Sequence, residues 1–382
     1  MHTILRKLLG SLVLILGTSI HAADFTWTTG AGGNNDALWD RAANWGGAGT
    51  PNAAGDTANI LANWPTTAFG TRTIQLRQIP TNVGTLNVNT TEGNAVLTLQ
   101  TSQQLVFDNN GGTAAFNGAG PNQLRVNAVV HATDTVAIDV GSMSELRIDR
   151  GITGPGGVTI NGDAESTVSA NGSNDGNDVL FSGGTFDYTG ETRIDSGVLQ
   201  FHQGITSIAS TSIIVNGEWD LDATAFAAPT GYFLQPTQTL SGTGRVVMQS
   251  LNNFSRSIRS DGATIAPGDG GPGTLTFEGG GLSLTGGSFE FQVSDGVSDQ
   301  VVANRLSIFA GTPGTVIIID NGRTTTGTVV LFDYSGTNGG TGTVADLGLS
   351  LPPGWGATLV DSGSSIDLNI TLIPSGTVFR FR

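Results

Sequence analysis

The sequence predicts an all-β protein that forms one long parallel β-solenoid. Three observations support this fold class. Glycine supplies 57 of the 382 residues, about twice its usual share, which indicates frequent turns. Short runs of alternating apolar and polar residues recur along the chain, and Gly, Asn, Asp or Ser bounds nearly all of them. Windows with a helical period are nearly absent after residue 23.

Similar strand-and-turn phrases favour a solenoid over other all-β folds. The segments 84–88 (GTLNV), 197–201 (GVLQF) and 273–277 (GTLTF) share one pattern. Recurrence of a small unit indicates coils that bury their inner faces against their neighbours. The outward positions are rich in Thr, Ser, Asn and Gln, which stack without charge repulsion. The spacing is irregular, so tandem β-sandwiches are the alternative, above all from about residue 240 onward.

The N-terminal segment has the features of a secretory signal peptide. Arg6 and Lys7 precede an apolar run over 8–16, and the small residues Ala22 and Ala23 follow. The run is too short for an ordinary membrane-spanning helix. We expect cleavage after Ala22 or Ala23, and no integral membrane span after cleavage.

Tryptophans concentrate in the next segment, where Trp27, Trp39, Trp45 and Trp64 make up four of the six in the chain. The end of a solenoid must be covered, because an open sheet edge invites pairing with another chain. We therefore expect an N-terminal cap whose indoles cover the first coil. In an alternative interpretation, Trp27, Trp39 and Trp45 form a platform that stacks on carbohydrate.

The chain divides on this basis into four parts. These are a signal peptide (1–23), an N-terminal cap (24–65), a solenoid body (66–373) and a C-terminal tail (374–382).

Composition excludes several kinds of chemistry. The chain has no cysteine, so disulfides and thiolate metal sites are ruled out. Lys7 is the only lysine and leaves with the predicted signal peptide, which removes lysine-based catalysis. The remaining chain carries 14 Arg against 31 Asp and Glu, a formal charge of 14 − 31 = −17. Such acidity repels phosphate groups, so we expect neither nucleic acid nor anionic lipid as a partner.

Several short phrases recur in a distinctive order along the chain. They are Thr26-Trp27, Trp39-Asp40, Asn44-Trp45, Pro51, 56–58 (DTA), 188–199 (YTGETRIDSGVL), 240–244 (LSGTG), 265–268 (IAPG), 273–275 (GTL) and 298–301 (SDQV). Together they resemble the phrases of autotransporter-associated β-strand-repeat proteins, many of which carry a PEP-CTERM sorting tail. The resemblance covers most of residues 24–370 and implies a right-handed parallel β-helix on the surface of a Gram-negative bacterium, usually of unknown function.

The C-terminal end departs from that family. An autotransporter would carry a membrane barrel there, and a PEP-CTERM protein would carry a Pro-Glu-Pro motif, an apolar helix and a basic tip. The segment 373–376 (IPSG) stands where such a tail would begin, and the sequence ends at Arg382. Free secretion, or a truncated gene product, fits this end better than anchoring does.

Enzymatic parallel β-helices, such as pectate lyases and polygalacturonases, need clustered carboxylates or a calcium site with an arginine base. The sequence has no Asp-Asp pair, and only His131 and His202 follow the signal peptide. Asp220 and Asp222 would share a face of a strand, although a solvated face is the simpler interpretation. We therefore expect no catalytic residues, with a polysaccharide lyase or hydrolase as the alternative.

One segment, 174–180 (NDGNDVL), resembles half of a calcium-binding nonapeptide repeat. Its candidate ligands are Asp175 and Asp178. Such sites share each ion between successive turns, so one copy carries little weight and a plain turn is preferred. We expect no cofactor, with calcium as the alternative.

These observations together predict a non-enzymatic solenoid that is secreted, or associated with the outer surface, and has a structural, adhesin-like or matrix role. Its expected partners are polysaccharide or further copies of the same chain. A polysaccharide-active β-helix or a carbohydrate-binding protein is the alternative function.

Overall fold

The protein is described by a computed structural model that covers residues 22–28, 38–47, 49–62, 72–77, 81–91, 93–99, 104–162, 178–202, 205, 207–222, 231–249, 257–336 and 340–372. The predicted signal peptide, except for its last two residues, and the predicted C-terminal tail lie outside these ranges. Short strands joined by turns make up most of the described chain.

The strands of the first half, in chain order, are β1 Asp24–Thr26, β2 Thr57–Ile60, β3 Arg72–Leu76, β4 Thr81–Val83, β5 Thr85–Asn89, β6 Ala95–Leu99, β7 Gln104–Phe107, β8 Ala114–Ala119, β9 Gln123–Asn127, β10 Val129–Ala132, β11 Val136–Gly141, β12 Glu145–Ile148, β13 Gly151–Thr153, β14 Val158–Gly162, β15 Asp178–Phe181, β16 Thr185–Phe186, β17 Thr192–Ile194 and β18 Val198–Phe201.

The strands of the second half are β19 Ser212–Val215, β20 Glu218–Asp222, β21 Tyr232–Phe233, β22 Thr239–Gly242, β23 Arg245–Gln249, β24 Ile258–Arg259, β25 Thr264–Pro267, β26 Thr274–Glu278, β27 Leu282–Leu284, β28 Ser288–Val293, β29 Gln300–Ala303, β30 Leu306–Ile308, β31 Thr315–Asp320, β32 Gly327–Tyr334, β33 Gly348–Ser350, β34 Gly356–Asp361 and β35 Ser365–Leu372. Two single-turn 3-10 helices, Ala42–Trp45 and Val344–Asp346, complete the described elements.

Successive coils stack their strands into three faces, as a parallel β-helix does. Face A has thirteen strands in the order β1-β2-β5-β8-β11-β14-β17-β19-β22-β25-β28-β31-β33, and face B has thirteen in the order β3-β6-β9-β12-β15-β18-β20-β23-β26-β29-β32-β35-β34. Face C is in two parts, β4-β7-β10-β13-β16 and β21-β24-β27-β30. The pairing is parallel throughout, except for β32, β35 and β34. The structure thus confirms the solenoid and not the tandem sandwiches.

The coils differ in length, which explains the irregular spacing of the sequence phrases. Ala114 of β8 pairs with Val136 of β11, and Val136 pairs with Val158 of β14. These two steps along the chain are equal. The next step is longer, because Val158 pairs with Thr192 of β17. Val158, Thr159 and Ile160 pair in order with Thr192, Arg193 and Ile194, so the register of the stacked strands is kept across the longer step.

The phrase 188–199, which resembles a family repeat unit, forms the corner between faces A and B. It supplies β17 and the first half of β18. The ring of Tyr188 is fully buried just before β17, at the turn from face C to face A, and its hydroxyl lies 2.7 Å from Oγ1 of Thr192.

Inward positions alternate with outward ones, so a single apolar core runs through the stack. Aromatic rings of successive coils stack within it, for example Phe181 on Phe201 with centroids 5.7 Å apart. Outward amides form ladders, as the sequence predicts. Nδ2 of Asn87 donates to Oδ1 of Asn59 at 2.7 Å, and Nδ2 of Asn117 donates to Oδ1 of Asn87 at 2.8 Å.

The two ends of the stack are built differently. At the N-terminal end, β1 already belongs to face A and pairs with β2. The first strands of the stack therefore lie within the segment predicted as a cap (24–65). At the other end, β35 pairs antiparallel with both β32 and β34. No helix among the described residues is long and apolar enough to cross a membrane.

Candidate functional site

The three tryptophans proposed as a carbohydrate platform are packing residues. Trp27, Trp39 and Trp45 are at most 3% exposed. The ring of Trp45 meets those of Trp27 and Trp39 edge-on, with centroids 5.2 and 4.8 Å away. Stacking on a sugar requires an exposed ring face, which none of the three has. Their burial therefore speaks against the platform interpretation.

Backbone acceptors satisfy the polar edges of two of these indoles. Nε1 of Trp39 donates to the carbonyl oxygen of Pro51 at 2.9 Å, and Nε1 of Trp45 donates to that of Trp39 at 2.6 Å. The Asn44-Trp45 and Pro51 phrases of the sequence thus serve to fix the first turns of the chain.

The calcium candidates are only partly described. Asp175 lies outside the described residues. Asp178 begins β15, and its side chain is outside the described part. Asp220 and Asp222 both lie on β20, and only the side chain of Asp220 is described. Within the described ranges, no group of three or more His, Asp or Glu residues is placed to hold a metal ion.

A polar groove of about 750 Å³ runs along the corner between faces B and C. We call it the arginine groove. It crosses three coils, from β9 and β10, over β12 and β13, to β16. Its lining consists of Arg125, Asn127, Val129, Arg147, Asp149, Arg150, Thr153, Ser182, Gly184, Thr185 and Asp187.

One carboxylate fixes two of the three arginines. Nε and Nη2 of Arg125 donate to Oδ2 of Asp149 at 3.0 and 2.6 Å, while Nε of Arg147 donates to Oδ1 at 2.5 Å. Arg125 and Arg147 are register partners on adjacent strands. Burial alone would raise the pKa of Asp149, but the bonds and charges of Arg147 and Arg125 outweigh it, and the pKa is lowered.

The outer nitrogens of the three arginines have few partners in the part of the chain that the structure describes. Nη1 of Arg125 and both terminal nitrogens of Arg147 donate to no described residue. Arg150 uses only Nε within the described chain, on Oδ1 of Asn127 at 2.8 Å. The side chains of Arg125 and Arg147 are 43% and 30% exposed. The groove therefore presents several oriented guanidinium donors to solvent.

Beside this groove, Gly151 allows two neighbouring coils to approach each other closely. Gly151 has a φ of +90°, and a Cβ placed on it would lie 2.0 Å from the carbonyl oxygen of Thr185. A side chain at this corner would push apart two neighbouring coils.

A second polar cluster, which we call the acid patch, lies further along face B. It consists of Gln200, Glu218, Asp220, Arg245 and Glu278. Gln200, Glu218 and Asp220 point outward from β18 and β20, yet all three are buried. Nε2 of Gln200 donates to Oδ2 of Asp220 at 3.2 Å, and Nη2 of Arg245 donates to Oε2 of Glu218.

Burial dominates the electrostatics of this patch. It raises the pKa of Glu218, and the charge and hydrogen bond of Arg245 offset this only in part, while the charge of Glu278 adds to the rise. Oε1 of Glu218 and Oε1 of Gln200 are buried and find no hydrogen-bond partner among the described residues.

A third polar cluster forms around Arg193, and it includes Glu191 and Asp195, which lie close to Arg193 in the sequence. Arg193 lies 2.6 Å from Asp195 and 4.0 Å from Glu191, and it also pairs with Asp269. Asp269 additionally accepts a bond of 2.9 Å from Asn216. It thereby ties the β25–β26 turn to earlier coils on the outer surface, which is a structural role.

The arginine groove escaped the sequence reasoning, although a signal for it exists. The segments 124–127 (LRVN) and 146–149 (LRID) share one pattern. Their separation along the chain equals one coil on face B, where Leu124 pairs with Leu146. That spacing therefore places the two arginines side by side.

No protein-family model matches the chain, and no curated protein shows significant similarity to it.

Proposed function

We propose that this chain is an exported, non-enzymatic β-solenoid with a structural or adhesin-like role at or near the surface of a Gram-negative cell. The observation that supports this proposal is the continuous stack, with thirteen strands in each of faces A and B around one core. Each coil contacts mainly its neighbours, so the stack is a rod with a long, repetitive outer surface.

The composition of that surface also favours a scaffold. The outward ladder of Asn59, Asn87 and Asn117 bonds coil to coil without charge. Such ladders stabilise the stack itself and assign no chemistry to the face that carries them. The sequence resemblance to autotransporter-associated β-strand-repeat proteins agrees with this role.

The start of the stack supports export followed by cleavage after Ala22. The backbone nitrogen of Ala23 lies 3.0 Å from Oδ1 of Asp56, whose Oδ2 accepts from the nitrogens of Asn52 and Ala53 at 3.0 and 2.9 Å. Cleavage after Ala22 would place a charged amino group at this buried carboxylate and strengthen an existing contact. Cleavage after Ala23 would remove that donor. We therefore propose Ala23 as the first residue of the mature protein.

Expression of the full chain in a Gram-negative host tests export directly. We expect the protein in the medium or on protease-accessible cell surface, with an intact mass that begins at Ala23. Leu12→Arg, which interrupts the apolar run, should keep the chain inside the cell, while the matched Leu12→Ile variant should be exported. Retention of the unaltered chain at its full length inside the cell would overturn the proposal.

A polysaccharide-active enzyme is the second candidate, and the acid patch is what favours it. Glycoside hydrolysis uses two carboxyl groups, one of them an acid with a raised pKa. Glu218 and Asp220 are two positions apart on β20, and burial raises the pKa of Glu218. However, both are at most 4% exposed, which leaves little room for a polymeric substrate.

Product assays separate the two candidates. The purified chain and its Glu218→Gln variant would be incubated with acidic and neutral polysaccharides, and reducing ends and unsaturated products would be measured. The scaffold proposal expects no product from either protein. Turnover by the unaltered chain that Glu218→Gln abolishes would establish the enzyme instead.

A further inference from the structure

We propose that the arginine groove is a binding site for an acidic polysaccharide whose negative charges are carboxylates, as in a polyuronate. This inference rests on the proposed function, because it names the partner that the scaffold would hold. Three features of the groove carry it: its oriented guanidinium groups, its local charge and its alignment with the coils.

The guanidinium groups are held in place before any ligand binds. Asp149 bonds to both Arg125 and Arg147 through one edge of each guanidinium. Arg125 and Arg147 both line the groove as register partners on adjacent strands, and the planar fork of a guanidinium group suits planar carboxylates. Because these side chains are already ordered, binding costs less conformational entropy than it would for free arginines.

The local charge of the groove is opposite in sign to that of the protein. Three arginines and two aspartates line it, a sum of 3 − 2 = +1, whereas the chain without its predicted signal peptide carries 14 − 31 = −17. This combination favours a ligand of low charge density. A nucleic acid, with its closely spaced phosphates, would be repelled by the rest of the surface.

The rest of the lining suits the neutral parts of a sugar chain. Asn127, Thr153, Ser182 and Thr185 add amide and hydroxyl groups that can donate to and accept from sugar hydroxyls. Neighbouring strands are about 4.8 Å apart, which is close to the length of one sugar unit in a polysaccharide. A chain that lies along the groove would therefore meet a new set of polar groups at each coil.

The test is calorimetric titration of the full chain with hexagalacturonate at low ionic strength. We expect binding that weakens as salt is added, because exposed charges are screened. Arg150→Gln should raise the Kd about tenfold, the effect of one lost charge-assisted contact of ordinary strength. Arg150 bonds only to Asn127 within the described chain, so this variant should unfold at the same temperature as the unaltered chain.

Arg245→Gln is the matched control. Arg245 is on face B and its side chain is 49% exposed, and it belongs to the acid patch and not to the groove. The two variants change the net charge equally, so only a site at the groove distinguishes them. Arg245→Gln should leave the Kd within about twofold.

Three results would overturn the inference: equal Kd values for the unaltered chain and Arg150→Gln, equal binding of dextran, or tighter binding of single-stranded DNA. These outcomes leave the proposed scaffold intact, since export and product assays test that separately. Conversely, release of reducing ends from hexagalacturonate by the unaltered chain would overturn the scaffold proposal without removing the binding site.

Discussion

The arginine groove borders face B at its corner with face C, and the acid patch lies on face B, yet the pKa of a carboxylate is shifted in opposite directions at the two sites. In the groove, Asp149 receives bonds from two arginines and its pKa is lowered. In the acid patch, Glu218 bonds to one arginine and its pKa is raised, with burial as the largest cause. The side chains of Asp149 and Glu218 are 11% and 6% exposed, so burial alone does not separate them.

At these two sites the arginines within reach account for the opposite shifts in pKa, together with the charge of Glu278, which raises the pKa of Glu218 further. The coil length sets which arginines lie within reach of each carboxylate. Because Arg125 and Arg147 are one coil apart, both reach Asp149. Glu218 has one arginine beside it, since its other register partner is Val198. The same stacking of coils therefore produces an ionised site that faces solvent at the arginine groove and a buried carboxyl group at the acid patch.

Truncation of the core beneath each site should have the largest effect. Trp219 lies on the inner side of β20 and Leu146 on that of β12, and both are at most 1% exposed. Trp219→Ala should lower the free energy of unfolding by about 3–5 kcal/mol and Leu146→Ala by about 2–5 kcal/mol. Denaturant titration measures both. A loss below about 1 kcal/mol for either variant would contradict a tightly packed core beneath the two sites.

Asp56 is a third buried carboxylate, and its side-chain partners among the described residues are backbone nitrogens. It accepts from Ala23, Asn52 and Ala53. Asp56→Ala leaves those donors without their acceptor and should lower the free energy of unfolding by about 2–3 kcal/mol. Thermal unfolding of the processed protein tests this value. A chain extended by Ala22 should be less sensitive, because its Ala23 nitrogen is an uncharged amide.

Asp149→Asn should destabilise the protein in a manner that depends on pH. A carboxylate with a lowered pKa contributes stability above its unfolded pKa of about 3.9, and that stability is lost as the pH falls through the folded value. At pH 7 we expect the free energy of unfolding to fall by about 1–2 kcal/mol, a value that allows for the solvent exposure of Arg125 and Arg147. Below pH 4 we expect a smaller fall. Urea titrations at both pH values measure the difference. An equal loss at the two would rule out the charged network.

Glu218→Gln should act with the opposite sign. A carboxyl with a raised pKa contributes most below its unfolded pKa of about 4.3, and this contribution is lost as the pH rises through the folded value. The charged form is thus a cost at pH 7, so the variant should be as stable as the unaltered chain or more stable by about 1 kcal/mol. The same urea titrations apply. Marked destabilisation at pH 7 would mean that the ion pair with Arg245 outweighs burial.

The sequence predicts the architecture well, because period-two alternation and glycine turns act locally. Phrases such as 84–88 and 273–277 do become strands β5 and β26 of the stack. The limits of the cap could not be read from the tryptophans, since β1 joins face A only through its pairing with β2. The 3-10 helix Ala42–Trp45 lies between β1 and β2 in the chain, so no local sequence pattern links these two strands.

The sites were harder to predict than the fold, for a physical reason. Whether Asp149 meets Arg125 depends on the exact length of the coil between them, and coil lengths vary, since the step from β14 to β17 is longer than that from β11 to β14. The burial of Glu218 and Asp220 on an outward face follows from what covers β20, which no local pattern encodes. A search of the sequence for similar phrases separated by the length of one coil would find Arg125 and Arg147, but it would not find the residues of the acid patch.

We propose that this solenoid holds an acidic polysaccharide without changing it. Co-sedimentation of the full chain with insoluble polygalacturonate, followed by sizing of the recovered polymer, tests both halves of this proposal. We expect the polymer to retain the protein, salt to release the protein, and the polymer to keep its length. Shortened polymer, or protein that stays in solution at low salt, would contradict it.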